Sequence, residues 1–169
     1  MAARLTQQRV LMSKSKGVAP VESYDLAKDK RLVWVDLEMS GLELETHKIV
    51  EMACIVTDEE LNIVAESPNV VINYPQLQFS DWCQTNFAKS GLLREITESK
   101  ISLSEAENIM VSFLKRHVNP KMCPLAGNSV YMDRIFLRKY MPKFDDIKES
   151  IAELLFYRKN VFLQTAPAK

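Results

Sequence analysis

Leu32-Val33-Trp34-Val35-Asp36-Leu37-Glu38-Met39-Ser40-Gly41 is the stretch on which the fold turns. Its residues alternate, are rich in β-formers, and run into a Ser-Gly turn, so they read as a strand. Asp36 and Glu38 stand two residues apart in it, which places both side chains on one face. Trp34, Val35, Leu37 and Met39 around them are apolar, so that face is partly withdrawn from water. Carboxylates desolvated side by side repel unless protons or cations neutralise them. A cation that prefers hard oxygen ligands, Mg²⁺ or Mn²⁺, is the natural remedy. On pattern alone, an edge strand with a solvated acidic face is the simpler reading, because short motifs discriminate poorly.

Outward from this strand, residues 49–57 (IVEMACIVT) are almost continuously apolar after Glu51, as in a sheet centre. Asp58-Glu59-Glu60 makes a turn, and residues 61–65 and 70–72 follow as short strands broken by Ser67-Pro68-Asn69. The opening is thus an antiparallel meander. Residues 79–98 then read as a helix in two pieces, broken near Ser90-Gly91. Ser102/Glu105 and Ser104/Glu107 offer overlapping capping boxes for a helix carrying Ala106, Ile109, Met110, Phe113 and Leu114 inward and ending before Pro120. Residues 122–126 form a buried strand, and Gly127-Asn128-Ser129 turns into a helix with Ile135, Phe136, Leu137 and Tyr140 apolar, stopped by Pro142. Asp145-Asp146 opens a last helix with Ile147, Ile151, Leu154, Leu155 and Phe162 inside. Strands first, then helices alternating with one more strand, give an α/β fold with a mixed sheet.

Composition bounds the function. The 169 residues hold 22 basic and 22 acidic side chains, 47% hydrophobic residues, four glycines and seven prolines. This is one globular domain in size and make-up. No apolar run reaches the ~20 residues of a membrane span. The neutral balance argues against a protein that coats long nucleic acid by charge, but allows a small anionic substrate. Residues 1–21 contain Arg4, Arg9, Lys14 and Lys16 and no acid. A mitochondrial transit peptide and a plain N-terminal tail both suit that segment, and either implies an intracellular protein. Cys54, Cys83 and Cys123 are widely spaced and form no metal or disulfide pattern.

V-W-V-D-L-E-M-S-G-L, with I-V-E-M-A-C-I-V-T-D, S-D-W-C, K-S-G-L and C-P-L-A-G-N-S-V-Y-M-D-R-I-F-L-R-K-Y-M-P, resembles the oligoribonucleases. These belong to the DEDDh superfamily of 3′→5′ exonucleases. The resemblance runs over residues 32–144 and resumes at 145–162. It divides the chain into a basic tail or transit peptide (1–30), an exonuclease-like domain (31–163) and a C-terminal tail (164–169). It implies an RNase H-like exonuclease fold, incomplete in its C-terminal part, and hydrolysis of very short RNA, or short DNA, to mononucleotides. It also implies a mitochondrial or cytoplasmic homodimer with two Mg²⁺ or Mn²⁺ ions per site. Carried over by motif, the metal-binding and catalytic carboxylates are Asp36, Glu38, Asp133 and Asp146. Trp82 resembles the aromatic that stacks on a base, Leu42 an apolar wedge against the nucleobases, and Ser90 a ligand of the 5′ phosphate. A core tryptophan and a helix-capping serine are the bland alternatives for Trp82 and Ser90.

The chain departs from the family at one place. The family's general-base histidine stands five residues before the final aspartate; here that position is Met141, and the tyrosine of the related DEDDy group is replaced by Pro142. His47 and His117, the only histidines, lie outside the motif and read as surface residues. The family also has a strand and a helix between M-P-x-F and the last acidic motif, whereas here Phe144 joins directly to Asp145. The short connection opposes the return of Asp146 to Asp36. The competing function is therefore a catalytically inactive variant that still binds nucleotide and metal, or dimerises.

Overall fold

In the computed structural model, residues 26–147 are described. β1 (Leu32–Met39) and β2 (Ile49–Thr57) pair antiparallel, from Leu32 opposite Thr57 to Met39 opposite Ile49. The register sets Asp36 against Ala53 and Glu38 against Glu51. It slips beyond Glu38, leaving Val50 without an opposite residue. Such a bulge re-aims a side chain, and Val50 packs with Cys83, Phe87, Leu92 and Ile96 rather than with the main core.

β3 (Ile63–Glu66) and β4 (Val70–Val71) both pair antiparallel with β2, at Thr57–Ile55 and at Met52–Glu51 respectively. They are two halves of one edge, interrupted where Pro68 has no N–H to give. β5 (Leu125–Ala126) lies parallel to β1 on its other side, Leu125 opposite Val33. The sheet runs β3-β2-β1-β5 with β4 also on β2, mixed as expected. β5 is shorter than the 122–126 strand expected, because Pro124 offers only its carbonyl, which accepts from Val33 N at 3.0 Å, and Lys121 has φ 62°.

α1 (Asp81–Ser90) and α2 (Leu92–Glu98) meet at Gly91, whose φ of 91° ends one helix and starts the next. A side chain there would be strained, since L-residues disfavour that region. α3 (Leu103–His117) begins with the Ser102/Glu105 capping box. The second box expected, Ser104/Glu107, does not form. Glu107 is buried and accepts instead from Lys143 N at 2.7 Å. That carboxylate starts α5 (Pro142–Asp145) after α4 (Val130–Tyr140), with Pro142 in the first turn where its missing N–H costs nothing.

The main core lies between one sheet face and α3, α4 and α5: Val33, Val35 and Leu37 of β1 and Met52, Cys54 and Val56 of β2 meet Met110, Leu114, Phe136 and Phe144. Each fully buried side chain of this size contributes about 1.5–3 kcal/mol. Of the apolar residues of α4, Phe136 and Leu137 are buried and Ile135 is 41% exposed. Asp145 ends α5 and Asp146 follows it, with Asp145 facing Arg134 (3.8 Å) and Arg138 (3.7 Å). The helix expected to open at Asp145-Asp146 lies, beyond Ile147, outside the described residues. Ile151, Leu154, Leu155 and Phe162 lie outside the described residues, as does the basic segment up to residue 25. Of the tail expected over 1–30, Leu26–Lys30 forms a 3-10 helix fastened to the body, where Asp29 accepts from Asn119 Nδ2 at 2.7 Å.

Candidate active site

β1 carries Val33, Val35 and Leu37 into the core, so Asp36 and Glu38 emerge on the opposite face, Asp36 exposed and Glu38 half-buried. Asp133 comes to them from the first turn of α4 and is buried, 7% exposed. Its Oδ1 accepts from Leu37 N at 3.2 Å, between the two strand acids. The turn that delivers it is tight. A Cβ at Gly127 would lie 2.9 Å from Val35 O, and Ser129 has a left-handed φ of 53°.

Electrostatics record the convergence. Burial, chiefly, with the charges of Asp36 and Glu38, pushes the Asp133 carboxyl up to about 6, against hydrogen bonds from its own backbone and from Leu37 that favour the anion. Burial also raises Glu38, helped by the charges of Asp36 and of Glu51 across the strand pair. Among the described residues no group of three His, Cys, Asp or Glu side chains stands close enough to hold a metal ion by itself. The donors are nonetheless hard oxygens whose repulsion a cation would relieve. An ion of the Mg²⁺ type is held by one or two carboxylates together with water and substrate phosphate, and an open set of this kind fits it.

Beside Glu38 lies a cavity of about 540 Å³ between the sheet and the α1–α2 pair, lined by Glu38, Glu51, Trp82, Lys89, Ser90 and Glu95 among others. Trp82 is 68% exposed and so is no core tryptophan. Ser90 lines the cavity, but its hydroxyl also donates to Phe87 O (3.3 Å) and accepts from Leu92 N (3.4 Å) at the helix junction. Leu42 stands on the loop after β1, 66% exposed.

Asp146 is not brought to this cluster. Its side chain is 80% exposed and faces Lys121 Nζ at 3.8 Å, and Ile147 O accepts from Lys121 N. Lys121 leads into β5, which runs parallel to β1 with Leu125 level with Val33, so Asp146 sits toward the end of β1 away from Asp36 and Glu38. The physical reason is the direct joint at Phe144, whose ring is fully buried and holds the chain there. Neither histidine lines the cavity. Both are half-buried rather than freely exposed. His47 accepts from Glu43 N through Nδ1 at 3.0 Å, and His117 stacks on Phe113 at 4.9 Å.

Residues 33–163 match the RNase T exonuclease family. The mitochondrial oligoribonuclease of Homo sapiens is 42% identical over 79% of this chain and 74% of its own length. The oligoribonuclease of Vibrio cholerae is 39% identical over 79% of the chain and 97% of its own. The chain belongs to the oligoribonucleases. Exonucleases of this superfamily are divalent-metal enzymes. The fold agrees: exonuclease I from Methylocaldum szegediense superposes over 82% of this chain with a TM-score of 0.56 at 15% identity, and E. coli exonuclease I, solved with a dT13 oligonucleotide, over 83% at 0.52. The chain spans about a third of those larger proteins, 31% and 32%.

The alignment with the human oligoribonuclease runs over 175 positions but takes in 79% of these 169 residues, about 134, so about 40 positions face no residue of this chain. The Vibrio alignment has the same proportions. In these two alignments about 40 positions thus have no counterpart in this chain.

Sequence reasoning missed Glu51 and Lys89 as cavity residues. Glu51 had a signal, as the one acid in an otherwise apolar strand. Lys89 had none, since an exposed helical lysine is ordinary.

Proposed function

We propose that this chain carries the binding half of a 3′→5′ exoribonuclease for very short RNA and turns substrate over slowly. The observation that carries this is the gathering of Asp36, Glu38 and Asp133 beside a cavity flanked by an exposed Trp82. Asp36, Glu38 and Asp133 would hold the divalent ions, Mg²⁺ or Mn²⁺. Bound there, such ions stabilise charge on a scissile phosphate and lower the pKa of attacking water. Trp82 offers its face to a base, a contact worth ~1–3 kcal/mol, and Leu42 an apolar edge. Ser90, which lines the cavity, would reach a phosphate oxygen by turning its hydroxyl away from Phe87 O. Short DNA would present its phosphates and bases to the same groups.

What the chain does not assemble is the proton acceptor. Met141 stands at the family's histidine position, and Asp146 lies against Lys121. A positioned general base contributes about 10²–10⁴-fold. These two placements support the slow turnover proposed here, whose limit is a nucleotide- and metal-binding variant without turnover. The basic leader, together with mammalian relatives named as mitochondrial, supports a mitochondrial location.

The site is tested by Mn²⁺ calorimetry on Asp36→Ala and Glu38→Ala. Each should weaken metal binding by at least the roughly 10–100-fold that loss of a mere supporting partner costs. Unchanged affinity in either variant would remove β1 from the metal site.

A further inference from the structure

The loop from Ser40 to Lys48 carries Leu42 and is closed at its stem, where Ser40 N donates to Lys48 O (2.9 Å) and Lys48 N to Ser40 Oγ (3.1 Å). The stem is also tied to α1, since Ser80 N, at the cap of the helix bearing Trp82, donates to Ser40 O at 2.8 Å. The far side of the loop is held from another element. Tyr140, the last residue of α4, donates its hydroxyl to Leu44 O at 2.5 Å and accepts from Lys48 Nζ at 3.0 Å. Lys139 adds a hydrogen bond to Leu44 O (3.1 Å) and an ion pair to Glu45 (2.6 Å). Lys48 Nζ also lies 4.5 Å from the Tyr140 ring centroid.

Tyr140 and Asp133 are seven residues apart on α4, two turns, and so leave the same side of the helix. One end of that side reaches the strand acids through Leu37 N, and the other reaches the loop through Leu44 O. An exposed leucine on a free nine-residue loop would lose ordering entropy on meeting a base; a loop held in place loses less.

We propose that Tyr140 is a positioning residue for substrate: its hydroxyl fastens the 40–48 loop to α4, so that Leu42 is held in fixed relation to the carboxylates. The proposal rests on the reading of Leu42 and Trp82 as base contacts. It gives α4 two tasks, supplying Asp133 and setting the apolar side of the site.

The test is binding of a fluorescent diribonucleotide to the full chain and to Tyr140→Phe, Leu42→Ala, Trp82→Ala and their pairs. Tyr140→Phe keeps the ring and removes the hydroxyl. A net hydrogen bond of about 0.5–1.5 kcal/mol corresponds to about 2–13-fold in affinity. We expect a loss in that range that disappears in the Leu42→Ala background and persists in the Trp82→Ala background, with Mn²⁺ affinity unchanged. A merely structural role would weaken binding equally in both backgrounds. The proposal is overturned alone if Trp82→Ala and Leu42→Ala weaken binding while Tyr140→Phe does not, or if the Tyr140 and Leu42 effects add. If both Leu42→Ala and Trp82→Ala are silent, the base site is misplaced and this proposal falls with it.

Discussion

Asp133 concentrates the chemistry of this site, because one carboxylate is buried, hydrogen-bonded to Leu37 N and faced by two like charges. Its folded value, about 6, lies above the ordinary 3.8. The folded chain therefore holds the proton more tightly than the unfolded one. The stability this lends is complete below about pH 4 and is lost as pH rises through 6. Asp133→Asn keeps an oxygen for Leu37 N and cannot ionise. Without divalent ions it should be more stable than the parent at pH 7, by on the order of 1–3 kcal/mol, and equal near pH 4. Thermal melts at the two pH values measure this, and a difference independent of pH would contradict the burial of this acid among carboxylates. Saturating Mn²⁺ should reverse the order at pH 7. Trp82 gives the complementary case. It is exposed, so Trp82→Ala should leave the melting midpoint in place while weakening dinucleotide binding by about 1–3 kcal/mol. A lowered midpoint with unchanged binding would make it a packing residue after all.

At the scale of elements, the β1–β2 pair does more than scaffold the site. Glu38 and Glu51 face one another across it, and like charges directly opposite destabilise a sheet by roughly 0.2–1 kcal/mol. Glu51→Gln should recover that much stability in the metal-free chain and much less with Mn²⁺ present; an equal gain in both would separate Glu51 from the metal site. How much was legible in sequence follows from element length. β1, β2, α1, α2 and α3 announce themselves through long apolar patterns, caps and Gly91. The strand period alone shows that Asp36 and Glu38 share a face, but that pattern by itself reads as a solvated edge, and the family motif was needed to make them site candidates. Asp133 shows even less by itself, because an acid in the first turn of a helix satisfies the helix dipole without any site. Only its burial against Leu37 N distinguishes it. The short α5 was not foreseen: Asp145 looks like a helix start, yet it ends α5 and faces Arg134 and Arg138, contacts that no local pattern announces. The Tyr140–Leu44 tie joins residues 96 apart and leaves no local trace.

For the whole molecule, the decisive feature is what lies between Phe144 and Asp145. The motifs M-P-x-F and D-D-I-K-E-S-I flank this joint, and about 40 positions of the human alignment find no partner in the chain. The fold closes over the joint rather than leaving it ragged: Phe144 is fully buried and Glu107 caps the short α5. On the function proposed above, the absent part is the one that would bring a histidine and Asp146 to the carboxylates, and the nucleotide side of the site is kept. Binding and turnover should therefore come apart. The most direct measurement is cleavage of a labelled diribonucleotide with Mn²⁺, comparing this chain with one in which the relatives' segment is inserted between Phe144 and Asp145. The inserted form should cleave about 10²–10⁴-fold faster, with dinucleotide affinities of the same order. Equal rates would contradict the account, and would show that this chain assembles a complete catalytic site from the residues it has.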